Sequence, residues 1–474
     1  MTPRGTHLIR GHDRFGSTNR FRVSCERTVM GRRRLAVGGL GVSIAAAVLL
    51  FGGALSGRSH VSPLAALAAN ARVSPTQAEL GRLFAGLSSG DSMRVVQRLE
   101  RHVARDPNDG VALAVLALAY QQRARETGDP AYYRLSDTAL HRASATDGPP
   151  ALIAQGEASL ANTRHRFGEG LSLAKEAIGL DPENGAAYGA LGDALFNLGR
   201  YRQAFEVYDG MALKAPGIAS FTRVANAREL IGHPKAAITA DELALEADAT
   251  IPEQIAWTMT QIGNVNFNMG RLAAAAGAYR QALRRFPGYV HAEAGLARVE
   301  ASEDHYSQAI ARLRRAASVL PVPAYVIWLG DILHRSGHEA AARREYALVG
   351  AIEKLYAVNG VRTELQTALF DLDHNTNVAD ALARARTAYA SAPSIYAEDA
   401  LAWGLFRNGR CREARTHSAR ALRLGTRDAL LLFHRAMIEH CLGSPSARTW
   451  FRRALAINPH FSFLWVPLAR AQLR

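Results

Sequence analysis

The chain is short of the residues that most chemistry and most nucleic-acid binding require. It holds three cysteines in 474 residues, too few for a disulfide-built or zinc-built scaffold. Lysine occurs four times, at 175, 214, 235 and 354. Gly168-Glu169-Gly170 has no strand pattern before it and no phosphate-loop lysine after it, so no nucleotide-binding motif is present. No pair of histidines brackets an acid at metal-ligand spacing; His165, His233, His291, His305, His334, His338 and His417 are scattered along the chain. No serine stands in a nucleophile-elbow context. Aromatics make up 7% of the residues and do not alternate with basic ones, which argues against a nucleic-acid stripe. The sequence therefore offers no catalytic, cofactor or metal site.

The formal charge of +15 is largely local. Residues 1–34 carry nine arginines against Asp13 and Glu26, a low-pattern composition that predicts disorder. Met30 is an alternative start. The uncharged run of residues 35–57 follows Arg32-Arg33-Arg34 directly. A helix of that length spans a hydrocarbon core of about 30 Å, and arginines before it predict a cytoplasmic N-terminus. The expectation is a single-pass membrane protein with an extracytoplasmic C-terminal region, or a secreted one after cleavage near Ala54-Leu55-Ser56. Residues 58–73 read as a linker.

Beyond residue 74 a period of about 34 residues dominates. One unit runs Leu191-Gly192, Leu195, Gly199, Tyr201, Ala204, Tyr208, Pro216. The next clear ones run Ile262-Gly263, Gly270, Leu272, Ala275, Tyr279, Ala282, Pro287; then Leu296-Ala297, Tyr306, Ala309, Leu313, Ala316, Pro321; then Leu329-Gly330, Leu333, Gly337, Ala342, Tyr346. The small residues mark close helix crossings. The glycines after the first helix mark left-handed C-caps, and the prolines end the second helix. Units on either side are degenerate, and Asp373-His374-Asn375-Thr376-Asn377 stands where a short turn belongs.

These residues resemble the tetratricopeptide repeat family over residues 74–474. The resemblance implies an all-α fold: a right-handed α-solenoid of about ten helix-turn-helix repeats, preceded by one N-terminal transmembrane helix or signal segment, with residues 461–474 as a capping helix. Each repeat is expected to contact only its neighbours. The family's first helices line a concave face, which places Asp193, Asn197, Trp257, Asn264, Asn268, Arg298, Asp331, Arg335, Trp403 and Arg407 there as partner-binding candidates. The lysine that some relatives use to clamp a C-terminal carboxylate has no counterpart, since Thr260 precedes Asn264. The implied function is a non-enzymatic scaffold for protein or peptide partners. The alternative is an accessory subunit of envelope polysaccharide or peptidoglycan biosynthesis, with Trp257 and Trp403 as sugar platforms. Cys411 and Cys441 open and close helices of adjacent repeats at one edge of the stack; they read as a disulfide or as two buried thiols.

Overall fold

A computed structural model describes residues 92–247 and 252–474. All of them lie in one compact unit, Val37–Arg474. The segments 1–34, 35–57 and 58–73 fall outside the described residues. No helix among the described residues is long and apolar enough to cross a membrane. The expected single-pass localisation is corrected accordingly: the span that suggested it, 35–57, has no described helix to carry it.

Among the described residues there are helices and no strands. They run α1 (Ser92–Arg105), α2 (Gly110–Thr127), α3 (Ala131–Ser144), α4 (Pro150–Thr163), α5 (Phe167–Leu180), α6 (Gly185–Asn197), α7 (Tyr201–Lys214), α8 (Ile218–Leu230), α9 (Pro234–Ala247), α10 (Pro252–Asn268) and α11 (Leu272–Arg285). They continue with α12 (Val290–Ser302), α13 (Tyr306–Val319), α14 (Pro323–Arg335), α15 (Glu339–Val358), α16 (Glu364–Asp373), α17 (Val378–Ser391), α18 (Ile395–Arg407), α19 (Cys411–Ala421), α20 (Ala429–Cys441), α21 (Ala447–Ile457) and α22 (Trp465–Ala471). From α2 to α21, each even helix pairs with the odd helix after it, making ten antiparallel hairpins. The capping helix is shorter than expected, and Ile218–Leu230 with Pro234–Ala247 forms a full hairpin between the first two clear units.

The two helices of a repeat differ in what they bury. Outer α5 buries only Gly170, Ala174 and Ala177, a narrow stripe facing its neighbours. Inner α18 buries every residue from Ala397 to Leu405, and inner α2 every residue from Ala112 to Gln121. Helices enclosed on all sides need side chains that pass one another closely. Gly263 allows this: a Cβ there would lie 2.5 Å from the Tyr279 ring. Gly192 and Gly330 admit Tyr208 and Tyr346 in the same way.

Each intra-repeat turn contains a left-handed residue, from Gly128, His165, Gly199, Gly232 and Gly270 to Asp304, Gly337, Asn375, Gly409 and Gly443. The turn at Gly199 shows why. The Gly199 N–H donates to Phe196 O at 3.1 Å and the Arg200 N–H to Leu195 O at 2.9 Å, which satisfies the last carbonyls of α6. The outer helix then starts at once, without a side-chain cap.

The expectation that repeats touch only their neighbours does not hold. Turns from the first five hairpins dock on turns eleven helices further along. The α2–α3 turn meets the α13–α14 turn, where a Cβ on Gly128 would lie 2.7 Å from Leu320. The α4–α5 turn meets the α15–α16 turn: His165 Nδ1 donates to the Arg362 carbonyl at 2.6 Å, 197 residues away, and the Arg362 N–H donates to Arg164 O at 3.2 Å. The α6–α7 turn meets the α17–α18 turn: the Ile395 N–H donates to the Tyr201 hydroxyl at 2.8 Å, 194 residues away. Arg423 also lies over the Tyr201 ring. The α8–α9 turn meets the α19–α20 turn, with the Gly425 carbonyl over Gly232; the α10–α11 turn meets the α21–α22 turn, with Pro459 over Gly270. The solenoid thus comes round on itself after five and a half repeats, and its second turn sits on its first.

At the far end, Cys411 at the start of α19 and Cys441 at the end of α20 are joined in a disulfide, with α-carbons 6.3 Å apart.

Two measurements check this architecture. Gly199→Ala and Gly232→Ala meet both a left-handed backbone and an occupied Cβ position, whereas Gly337→Ala and Gly409→Ala meet only the first, with nothing among the described residues within 4 Å. All four should lose about 1 kcal/mol, and the first pair a further 1–3 kcal/mol or so from overpacking. Equal melting losses across the four would rule out the docked turns. Reducing the disulfide, which closes a loop of 30 residues, should lower stability by roughly 3 kcal/mol. Two thiols alkylated without reductant in intact protein would contradict the bond.

Candidate functional site

The concave-face candidates sit on inner helices, but the tight superhelix buries most of them. Asp193, Trp257, Asn268, Arg298, Asp331 and Trp403 are more than nine-tenths buried. Asn197, Asn264 and Arg407 are half-buried, and Arg335 is exposed.

Three of the buried or half-buried candidates serve one repeated contact. The residue after the crossing position accepts a hydrogen bond from the tyrosine fifteen residues on: Asp193 from Tyr208 at 2.9 Å, Asn264 from Tyr279 at 3.0 Å, Asp331 from Tyr346 at 2.9 Å. A tyrosine that packs into a helix crossing has its hydroxyl buried with it, and that hydroxyl needs an acceptor. Asp193 is occupied further by Arg223, whose Nε and Nη2 reach its two oxygens at 2.9 and 2.7 Å. Burial works against the Arg223 cation, but Asp193 outweighs it and raises its pKa. Asn197 donates to the Asp193 backbone carbonyl at 2.9 Å. Arg298 lies between the rings of Phe267 and Trp328, 4.2 and 4.4 Å from their centroids, and burial lowers its pKa. Trp257 belongs to the core of α10 and its neighbours. Asn268 donates to Glu229 at 3.3 Å.

The second superhelical turn holds a denser polar cluster. Asp373, at the end of α16, accepts from Trp403 Nε1 at 3.0 Å and Trp465 Nε1 at 3.1 Å. Arg407 lies over both indoles, 5.6 and 5.9 Å from their rings, and donates to Asn375 at 2.5 Å. Trp403 and Arg407, one turn apart on α18, are the candidates that take part in this cluster. Trp403 also stacks on His434, with centroids 4.1 Å apart. His434 Nδ1 meets Asp399 at 2.8 Å, and His374 Nε2 meets Asp331 at 2.8 Å. Burial opposes both imidazolium ions, yet the paired carboxylates raise the two histidines above their ordinary value. Asp428 caps α20, accepting from the Leu430 and Leu431 N–H groups. Burial raises it to about 7, with Asp399 adding to the shift. Glu229 is raised by burial to about 7 as well, with Asp428 adding to the shift.

Asp373, His374, His434 and Trp465 are absent from the sequence-derived candidates. Asp373 and His374 belong to the five-residue stretch that replaces a short turn, and that departure was their signal. Trp465 lies in the capping segment, 92 residues from Asp373, and nothing in the period connects the two. Trp257 and Trp403 are buried, so neither offers an open face to a sugar ring.

The carboxyls at 428 and 229 bind protons more tightly folded than unfolded. Their ordinary values are 3.8 and 4.5, so folding stability falls as pH rises from there through 7, and the loss is complete above it. The two histidines add stability below 6.5 that disappears as pH rises through their raised values. Both effects make the fold more stable at pH 5 than at pH 8. Asp428→Asn keeps the cap acceptor and removes one titration. Its stability should vary less over this range than wild type, by on the order of 1–3 kcal/mol. Superimposable pH profiles from chemical denaturation would show that Asp428 ionises normally.

The chain matches two tetratricopeptide repeat family models, over residues 153–231 and 260–304. No curated protein matches it. Among solved structures it is similar to a crystal structure of MamA, at 19% identity over 34% of this chain and 92% of that one, with a TM-score of 0.27. It is also similar to a crystal structure of the APC/C hetero-tetramer Cut9-Hcn1, at 13% identity over 87% of this chain and 98% of that one, with a TM-score of 0.36.

Proposed function

We propose that this chain, which belongs to the tetratricopeptide repeat family, is a non-enzymatic scaffold that binds protein or peptide partners at the rim of its second superhelical turn. What carries the reading is where the accessible candidates lie. Arg335 and Arg407 are at the C-terminal ends of inner helices α14 and α18, beside turns that no other part of the described chain covers. Beneath Arg407 are Trp403 and Trp465, held by Asp373. Arginines over aromatic rings are common anchors for a partner chain. The buried candidates, Asp193, Trp257, Asn268, Arg298 and Asp331, then act by fixing the inner helices that present this rim. Half-buried Asn197 and Asn264 are occupied by contacts within their own repeats.

Binding of peptides selected from a random library on the full chain tests this. Arg335→Glu with Arg407→Glu should weaken the selected peptides at least tenfold, about 1.4 kcal/mol, with helical content unchanged. Arg284→Glu with Arg314→Glu, on outer helices, should leave them bound. Loss confined to the outer pair would move the site to the convex face.

A further inference from the structure

Charge is unevenly placed on the outer helices. Outer α3, α5, α7 and α9 together carry six basic residues and eight acidic ones, a sum of −2. Three other outer helices, α11, α13 and α21, carry nine arginines and no acid. Of the nine, Arg312 meets carboxylates, those of Glu293 and Glu300. Arg280, Arg284 and Arg285 on α11 and Arg314 and Arg315 on α13 are exposed, with no carboxylate in ion-pair reach among the described residues. The same holds for Arg448, Arg452 and Arg453 on α21; Arg448 donates to the Leu473 carbonyl, and Arg453 lies over the Trp450 ring.

Winding brings these three helices together. α11 and α13 both pack on α12, so they stand side by side on the convex face. The α21–α22 turn sits on the α10–α11 turn, with Pro459 over Gly270, which sets α21 end to end with α11. His460 in that turn lies within electrostatic reach of Glu303 and Asp304 in the α12–α13 turn, the acids that border the face. Residues 272–285 and 447–457 are far apart in the chain, so no basic run marks the face in the sequence. Cations gathered on one side repel one another and attract a polyanion.

That polyanion has to come from outside the chain. Residues 1–91 and 248–251, which lie outside the described ones, hold five acids, Asp13, Glu26, Glu79, Asp91 and Asp248, against twelve arginines. They add +7 and cannot neutralise the face. A second copy brings +15, and the four outer helices of its first turn that hold acids sum to only −2.

Shape chooses among the anions. A duplex is a straight rod and a bilayer a plane, and each meets a convex face along one column of helices. Single-stranded nucleic acid bends, but it is held by bases stacked on open aromatic rings. Among the described residues of this face the exposed ring is that of Phe286, just past the end of α11, while Trp450 lies under Arg435 and Arg453. An acidic polypeptide bends with the surface, and arginine forks bind carboxylates by both oxygens. We propose that the face formed by α11, α13 and α21 docks an extended acidic segment of a partner protein, separately from the rim of the second superhelical turn. α21 and α11, of 11 and 14 residues, make a column about 40 Å long, which about a dozen residues of extended chain span.

Fluorescence anisotropy on the full chain tests this, with a labelled peptide of about a dozen residues alternating Glu and Ser. The peptide should bind at low ionic strength and weaken as salt screens the contact. Arg284→Glu with Arg314→Glu, and separately Arg448→Glu with Arg452→Glu, should each weaken it roughly tenfold or more. Arg202→Glu with Lys235→Glu, at exposed positions on α7 and α9, makes the same change in net charge and should bind about as wild type does. The rim pair Arg335→Glu with Arg407→Glu should do so too. An unchanged melting temperature in each pair shows that the fold is intact. No binding at low salt overturns the inference, and equal weakening by the α7–α9 pair reduces the effect to net charge and overturns it as well. Loss with the rim pair alone overturns this face while leaving the rim reading standing. A DNA duplex or a phosphatidylserine vesicle that binds more tightly than the peptide, and is released by the same reversals on α11, α13 and α21, assigns the face to phosphate and overturns the acidic segment.

Discussion

Everything in this molecule follows from one steric allowance, the approach of one backbone turn to another where a Cβ would stand. At Gly232 the carbonyl of Gly425 occupies that position, 2.5 Å from where the carbon would be. With that approach available, the second superhelical turn descends onto the first. The inner helices are then enclosed from the side by neighbouring repeats and from the end by the next turn. That enclosure explains why α2 and α18 bury unbroken runs while the outer helices bury only stripes. An open solenoid would have left its inner helices one wet face.

Enclosure also decides the polar chemistry. Charges in the interior survive only as partners, because a lone buried ion costs several kcal/mol. Arg223 with Asp193, His434 with Asp399 and His374 with Asp331 are the result. Arg298 is held between two aromatic faces. Each of these groups joins different helices, so the polar interior ties repeats together much as the apolar one does. Around Asp373 the two modes merge, since one carboxylate holds two indoles that are themselves packed on Phe433, His434 and each other.

The repeat was fully legible in the sequence because its residues act locally. Gly192 and Tyr208, or Gly330 and Tyr346, meet within one hairpin, and a period of about 34 residues exposes such pairs. The disulfide positions were legible for the same reason. Superhelical closure was not, since it joins residues near 200 to residues near 394, and one partner of each contact is a backbone group, the Pro393 carbonyl over Gly199 and the Ile395 N–H on the Tyr201 hydroxyl, which leaves no trace in residue identity. The candidate face suffered accordingly. Positions such as Asp193 and Asp331 do lie on the inner helices, but whether an inner position is wet depends on how tightly the array winds. The membrane reading rested on residues 35–57, whose composition is suggestive by itself, and no described helix carries it.

The eleven-helix register has a consequence for how such a chain can change over generations. Ordinary solenoids grow and shrink by duplicating or deleting a unit, because each unit meets only the next. Here a hairpin added between Gly270 and Leu320 would displace all five covering turns by two helices against the surface beneath them. Contacts such as His165 with Arg362 and Tyr201 with Ile395 would be lost together, and each glycine would face the wrong partner. The length of the array is therefore fixed by its own winding, and divergence is confined to side chains and to the two ends.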